Sequence, residues 1–114
     1  MKQPKLRPVH KQDLYELFRN FNVKYGDLEI FIPKGFRYDG ASVPKGVWAL
    51  TYSPFNPRVM LAALVHDYLY REGLVDRKLA DQTFYDLLIA NGCNNIKAKM
   101  MYQAVRSFGG SHYK

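Results

Sequence analysis

The chain contains a single cysteine, Cys93, among 114 residues. One thiol cannot form an internal disulfide, and it cannot supply the several thiolates of a typical cysteine zinc site. Cys93 follows a predicted helix end without a basic side chain close in sequence, which favours an incidental thiol over a reactive one. This cysteine usage fits a reducing compartment.

Long apolar stretches are also missing. The longest apolar run, Val59 to Val65, is far too short to cross a bilayer, which takes about 20 apolar residues. The segment from Met1 to Lys11 carries five basic or potentially basic side chains and no apolar core, so it does not predict a signal peptide. We therefore expect no transmembrane segment and a protein that folds in a cytoplasm.

Acidic residues are scarce, because 10 Asp and Glu stand against 17 Lys and Arg and give a net charge of +7. This balance suits an anionic partner such as nucleic acid or a phospholipid surface. Nucleic-acid binding rests on this charge alone and is the least favoured hypothesis. The sequence also lacks a P-loop, a dinucleotide-binding fingerprint and an HExxH zinc motif.

The composition, 47% hydrophobic and 15% aromatic, predicts a compact fold, and the length predicts a single domain over residues 1–114. Pro4 and Pro8 favour an extended arm over residues 1–12. Residues 13–34 are predicted to form a β-hairpin that turns at Tyr25-Gly26-Asp27. Residues 35–56 are rich in Gly, Pro and Ser, which predicts a long loop.

Three helices are predicted over residues 57–108. The first runs from about Pro57 to Arg71, and the second starts near Asp76, a good N-cap, and ends before Gly92. Because only Glu72 to Val75 separate them, they should form an antiparallel helical hairpin. The fold class is therefore α+β, with the hairpin and the long loop packed on a three-helix half.

The third helix is predicted from about Asn95 to Phe108, where Gly109-Gly110 ends it. Its inner face is expected to consist of apolar residues at helical spacing, namely Ile96, Met100, Ala104 and Phe108. Its basic residues, Lys97, Lys99 and Arg106, predict a solvated face.

The strongest chemical signal is a histidine next to an aspartate, His66-Asp67, inside an apolar helical run. Residues equidistant from the link of a helical hairpin face each other, and position 66 should therefore lie level with Asp81. Tyr70 follows His66 by one turn and could reach the same carboxylate. An imidazole oriented by a carboxylate is a general base, so His66, Asp81 and Tyr70 are candidate catalytic residues.

Asp67 is rotated by about 100° from His66 and is a candidate ligand for a divalent cation, with Asp39 and loop carbonyls completing the site. Each feature also has a structural interpretation. His66, Asp81 and Tyr70 would make a polar staple between two helices, and Asp67 would be a solvated surface acid. Asp39-Gly40 and Ser42 would form a tight corner, the favoured interpretation of this loop.

Several motifs resemble an uncharacterised domain-of-unknown-function family of phages and prophages. They are Gly35 to Pro44, Ala63 to Tyr70, Asp81 with Phe84, and Tyr102 to Gly109, in that order. The resemblance implies a phage or prophage origin, with synthesis in the host cytoplasm and a place in the virion, but it implies no activity.

More distantly, His66-Asp67-x-x-Tyr70 with Asp81-x-x-Phe84 is similar to the helix pair of small prokaryotic and fungal calcium-dependent phospholipases. This resemblance implies that His66 activates water, Asp67 binds calcium, and Asp81 with Tyr70 orients His66. The chain departs from those enzymes, which are secreted, disulfide-bonded and have a glycine-rich calcium loop.

Two functions therefore remain open. The leading hypothesis is a phage-encoded hydrolase-like protein that acts on a lipid or another ester, with calcium as the candidate cofactor. The alternative is a non-catalytic virion or host-interaction protein, with other virion proteins or a host factor as partners, in which the polar residues form a staple.

Overall fold

The computed structural model describes residues 3–9, 14–40 and 43–113, and strands precede helices along them, which confirms the α+β class. The strands are β1 (Leu6–Val9), β2 (Leu14–Leu17), β3 (Phe21–Tyr25), β4 (Leu28–Ile32) and β5 (Arg37–Tyr38). The helices are α1 (Lys45–Leu50), α2 (Met60–Glu72), α3 (Arg77–Ala90) and α4 (Asn95–Phe108), followed by a 3₁₀ turn at Gly109–His112.

The predicted hairpin forms from β3 and β4, which pair antiparallel from Phe21 opposite Ile32 to Tyr25 opposite Leu28. The turn between them uses Gly26, whose positive φ of 57° suits a residue without a side chain. Alternate side chains point to the core, as the pleat of a strand requires, and Phe21, Val23, Ile30 and Ile32 are buried.

The predicted extended arm is not a free arm. Its residues Leu6–Val9 form β1, which pairs antiparallel with β2, and β2 in turn pairs with β5 in a three-stranded sheet. Glu16 on the middle strand accepts hydrogen bonds from Arg7 and Arg37 on its two neighbours. The pairing of β2 with β5 joins residues more than 20 positions apart, so no local pattern predicted it, whereas β1 and β2 are close in sequence.

The predicted loop over residues 35–56 contains two regular elements, β5 and α1. A helix as short as α1 depends on tertiary contacts rather than on its own propensity. Here Trp48 is buried, and its indole N–H donates to the carbonyl of Gly40 at 3.0 Å. Ala41 and Ser42 lie outside the described residues, and so does the turn role expected of Ser42.

The helical hairpin of α2 and α3 has the predicted form. Helix α2 begins at Met60 rather than Pro57 and ends at Glu72, and its C-cap Gly73 adopts the left-handed conformation with φ 61°. The side chain of Asp76 caps α3 by accepting from the amide of Leu79 at 2.7 Å. All residues of α2 from 61 to 70 are buried, because α3, β4 and β5 pack around this helix.

Helix α4 has the predicted bounds, but its predicted inner face was wrong. Ile96, Met100 and Phe108 are 72%, 39% and 62% exposed. The buried residues are Ala98, Met101, Ala104 and Val105, so only Ala104 was placed correctly. The helix carries two apolar stripes, and the stripe with small alanines packs against α3. Periodicity alone could not choose between them.

Candidate functional site

His66 and Asp81 meet inside the α2–α3 hairpin, at the level that the hairpin link predicted. The Nε2 atom of His66 lies 2.7 Å from Oδ1 of Asp81. The short connection after Gly73 and the Asp76 cap fix where α3 starts, and this start brings the fifth residue of α3 level with His66. The two side chains are 1% and 0% exposed.

Tyr70 joins the same carboxylate, as its position one turn after His66 suggested. Its hydroxyl donates to Oδ1 of Asp81 at 2.5 Å. The imidazole of His66 packs between the rings of Tyr70 and Phe84, with centroid distances of 4.1 and 4.8 Å. The three candidate catalytic residues are therefore in contact, while their catalytic roles remain predictions.

Two arginines that were not predicted as site residues complete the cluster. Arg106 on α4 donates from Nη1 to Oδ2 of Asp81 at 2.7 Å, so it is not part of a solvated basic face. Arg77 donates from Nε to the Tyr70 hydroxyl at 3.1 Å and from Nη2 to the carbonyls of Val105 and Arg106.

The sequence offered a signal for only one of these arginines. Arg77 precedes Asp81 by four residues, a spacing that places two side chains on the same face of a helix. Arg106 is 25 residues from Asp81, and only the docking of α4 on α3 brings them together. We refer to His66, Tyr70, Arg77, Asp81 and Arg106 as the Asp81 cluster.

The Asp81 cluster stabilises the negative charge at its centre. Burial raises the pKa of Asp81, but the hydrogen bonds from His66, Tyr70 and Arg106 outweigh burial and hold this pKa below its ordinary value. Burial, followed by the hydrogen bond to Asp81, raises the pKa of Tyr70, so its hydroxyl stays protonated and remains a donor. Asp81 is therefore an ionised acceptor shared by donors from α2 and α4.

Asp67 connects α2 to the loop that precedes α1. It is only 8% exposed, and its Oδ2 accepts the amide N–H of Gly40 at 3.1 Å. Gly40 has a φ of 72°, and a Cβ there would lie 3.2 Å from the Trp48 ring, so this corner requires glycine. Asp67 is thus not the solvated surface acid of the structural alternative.

The fit of a calcium ion to Asp67 and Asp39 is incomplete. Burial raises the pKa of Asp67, and the nearby charge of Asp39 raises it further, as expected for neighbouring carboxylates. Calcium takes six to eight oxygen ligands, whereas no group of three or more His, Cys, Asp or Glu side chains suits a metal ion within residues 3–9, 14–40 and 43–113. The calcium role of both residues stays a prediction.

The Cys93 thiol is buried and contacts the carbonyl oxygen of Arg58 at 3.4 Å, and burial raises its pKa to about 11, which disfavours the reactive thiolate. Across the part of the chain that the structure describes, no helix has the length and apolar character needed to cross a membrane.

Comparison with known proteins gives a family but no activity. The profile of the family described as "Protein of unknown function (DUF1353)" matches residues 15–105. Two uncharacterized proteins of Sinorhizobium fredii (strain NBRC 101917 / NGR234) are similar to this chain. The protein y4jT is 34% identical over 97 residues, which are 84% of this chain and 29% of y4jT. The protein y4iH is 33% identical over 76 residues, which are 67% of this chain and 32% of y4iH.

The chain therefore spans about a third of the length of these curated relatives. No solved structure matches it.

Proposed function

Because the chain belongs to the DUF1353 family of proteins of unknown function, we propose a function from its own geometry. The domain is a non-catalytic binding module, and its Asp81 cluster is a polar staple between helices. The observation that carries this proposal is the burial of His66 and Asp81 at the centre of the cluster. His66 and Asp81 are 1% and 0% exposed, so neither substrate nor bulk water reaches the imidazole in this conformation.

The hydrogen bonding of Asp81 supports the same conclusion. A buried charge is costly unless donors surround it, and Asp81 accepts from His66, Tyr70 and Arg106. These donors come from α2 and α4, while Asp81 belongs to α3. The arrangement links three helices through one carboxylate, which is the role of a polar staple.

The setting of this module is part of the proposal. The motif from Gly35 to Pro44 and the resemblance that it carries support a phage or prophage protein, synthesised in the host cytoplasm and working in the virion or on a host factor. Detection of the chain by antiserum in purified virions, or only in the lysate of infected cells, would decide between these two locations.

The staple is tested by His66→Gln, with His112→Gln as the matched control because His112 is exposed and lies outside the cluster. The parent and both variants are compared by urea unfolding and by hydrolysis of p-nitrophenyl butyrate and phosphatidylcholine vesicles, with and without calcium. We expect a large stability loss in His66→Gln alone and no hydrolysis by the parent. The proposal is overturned if the parent hydrolyses either substrate and the His66→Gln variant stays folded but no longer hydrolyses it.

A second candidate function is ester or lipid hydrolysis, and one observation favours it. Asp81 orients the imidazole of His66, and the carboxylate of Asp67 follows on the same helix. In this function His66 takes a proton from water, Asp81 and Tyr70 hold the ring, and Asp67 with Asp39 binds calcium. The elements covering His66 would have to move apart for substrate to enter.

Calcium binding tests this second candidate independently of activity. The melting temperature of the parent is measured in EDTA and in 5 mM calcium chloride, and Asp67→Asn is the comparison. A rise with calcium in the parent that is absent in Asp67→Asn supports the hydrolytic site, because a ligand that binds only the folded state stabilises it. Equal melting temperatures in both solutions argue against a calcium site.

A further inference from the structure

The face of α4 that points away from α3 is an open apolar groove. Its cavity is about 510 Å³, and α1 contributes Val47 to its wall. Ile96, Met100 and Phe108 line it from α4, at spacings that place them on one side of the helix. We call these four residues and their surroundings the α4 groove.

The side chains of the α4 groove are unusually exposed for their size and polarity. Ile96 is 72% exposed and Phe108 is 62% exposed, while Leu50, one turn beyond Val47 on α1, is 69% exposed. Single apolar residues at a surface need no explanation, but several large ones on one face indicate a binding surface. Lys99 lines the same groove.

Acidic and basic residues are unevenly distributed along the sequence. All ten acidic residues fall within positions 13–39 and 67–86. Positions 40–66 and 87–114 contain none, although they carry six Lys and Arg residues. Every residue that lines the α4 groove comes from these two acid-free segments. Residues 1–12 are the other acid-free part of the sequence and carry four Lys and Arg, so the groove segments hold a share of the net positive charge rather than all of it.

We infer that the α4 groove docks on an anionic phospholipid bilayer, an inference that rests on the proposed binding role of the domain. A helix with large apolar side chains on one face and lysines on its flanks lies in the plane of the membrane interface. Ile96, Met100 and Phe108 enter the boundary of the acyl chains. Lys99 on α4 and Lys45, exposed on α1, meet the lipid phosphates.

Other occupants fit these observations less well. Nucleic acid uses the positive charge but gains little from three exposed aliphatic and aromatic side chains on one helix. A second copy would bring the lysines of two identical faces together in a symmetric dimer, where like charges repel. A bilayer with anionic headgroups accepts the apolar side chains and the lysines at the same time.

The test is co-sedimentation of the full chain with extruded vesicles. Vesicles of 70% phosphatidylcholine and 30% phosphatidylglycerol are compared with pure phosphatidylcholine, in 100 mM and 500 mM sodium chloride. We expect binding to the anionic vesicles that weakens at the higher salt concentration, because salt screens the lysine–phosphate attraction. The double variant Ile96→Ser/Phe108→Ser should bind at least tenfold more weakly.

The matched control is Phe31→Ser/Leu74→Ser, because these residues are 52% and 60% exposed but lie in the acid-containing segments and outside the groove. Circular dichroism checks that both variants stay folded. The inference is overturned if the parent does not bind anionic vesicles, or if the two double variants bind alike. It is also overturned if sedimentation velocity shows a dimer of the parent that only Ile96→Ser/Phe108→Ser dissociates.

The result of the vesicle experiment can be distinguished from the result of the experiments that test the proposed function. The vesicle experiment changes residues of the α4 groove, whereas the unfolding and hydrolysis experiments change His66 inside the Asp81 cluster. Failure of vesicle binding leaves the staple intact, and hydrolysis by the parent leaves the docking surface intact.

Discussion

Arg106 Nη1 donates to Asp81 Oδ2 at 2.7 Å, so α4 is tied by an ion pair to the buried centre of the α2–α3 hairpin. Arg77 strengthens the same junction, because its guanidinium donates to the carbonyls of Val105 and Arg106 in the last turn of α4. The position of α4, and with it the α4 groove, therefore depends on side chains that α3 supplies.

Replacement of Asp81 by Asn should lower the free energy of unfolding by about 1.5–3 kcal/mol, because the hydrogen bonds from His66, Tyr70 and Arg106 lose their charged acceptor. The measurement is urea unfolding followed by circular dichroism. Asp27→Asn, in the exposed turn of the β3–β4 hairpin, is the control and should change little. A loss below 1 kcal/mol for Asp81→Asn would show that the cluster is not a staple.

Replacement of Arg106 by Met should cost about 1–3 kcal/mol, since it removes one charged hydrogen bond but keeps the apolar stem of the side chain. It should also raise the pKa of Asp81, because Arg106 is one of the donors that lower it. The acid-unfolding midpoint should then move to higher pH. Lys78→Met, on the exposed side of α3, should leave both quantities unchanged.

Asp67 and Asp81 should affect the pH dependence of stability with opposite signs. The pKa of Asp67 is raised by burial, so the unfolded chain releases this proton above about pH 4 while the folded protein keeps it. The resulting destabilisation is absent below that pH, grows as pH rises and levels off above the folded pKa. Asp67→Asn should therefore be more stable relative to the parent at pH 7 than at pH 4.

The lowered pKa of Asp81 gives the reverse dependence. Its contribution is fully present above the unfolded pKa of about 4 and is lost as pH falls through the folded pKa. Asp81→Asn is thus the comparison for Asp67→Asn, and urea unfolding at both pH values measures both variants. Parallel pH profiles of the two variants would contradict a raised pKa for Asp67 together with a lowered pKa for Asp81.

Replacement of Gly109 by Ala should destabilise the protein. A Cβ at this position would lie 2.9 Å from the hydroxyl oxygen of Tyr70, which is 2% exposed and has little space to move. The clash should weaken the hydrogen bond from Tyr70 to Asp81 and cost about 1–3 kcal/mol. Gly46→Ala is the control, because its Cβ meets nothing within 4 Å and alanine favours helix α1. The melting temperature of Gly46→Ala should rise slightly, whereas that of Gly109→Ala should fall.

Local signals predicted much of this fold. The turn at Gly26, the cap at Asp76 and the ends of α4 follow from residues a few positions apart, and the short hairpin link was enough to place His66 opposite Asp81. Each of these features depends on neighbours in the sequence or on one short connection.

The remaining features depend on distant contacts. Strand β5 needs β2, α1 needs the bond from Trp48 to Gly40, and Arg106 needs the docked α4. The inner face of α4 could not be predicted because two apolar stripes compete, and the packing against α3 decides between them.

The position of Arg106 has an energetic consequence for any ligand of the α4 groove. An amphipathic helix that is disordered in solution loses conformational entropy when it folds on its target, and that loss reduces its affinity. Here the inner side of α4 is already held by Asp81 and Arg77, so its outer side is presented as a preorganised surface. Binding at the groove therefore avoids the entropy loss of folding the helix, and the costs that remain are those of association and desolvation.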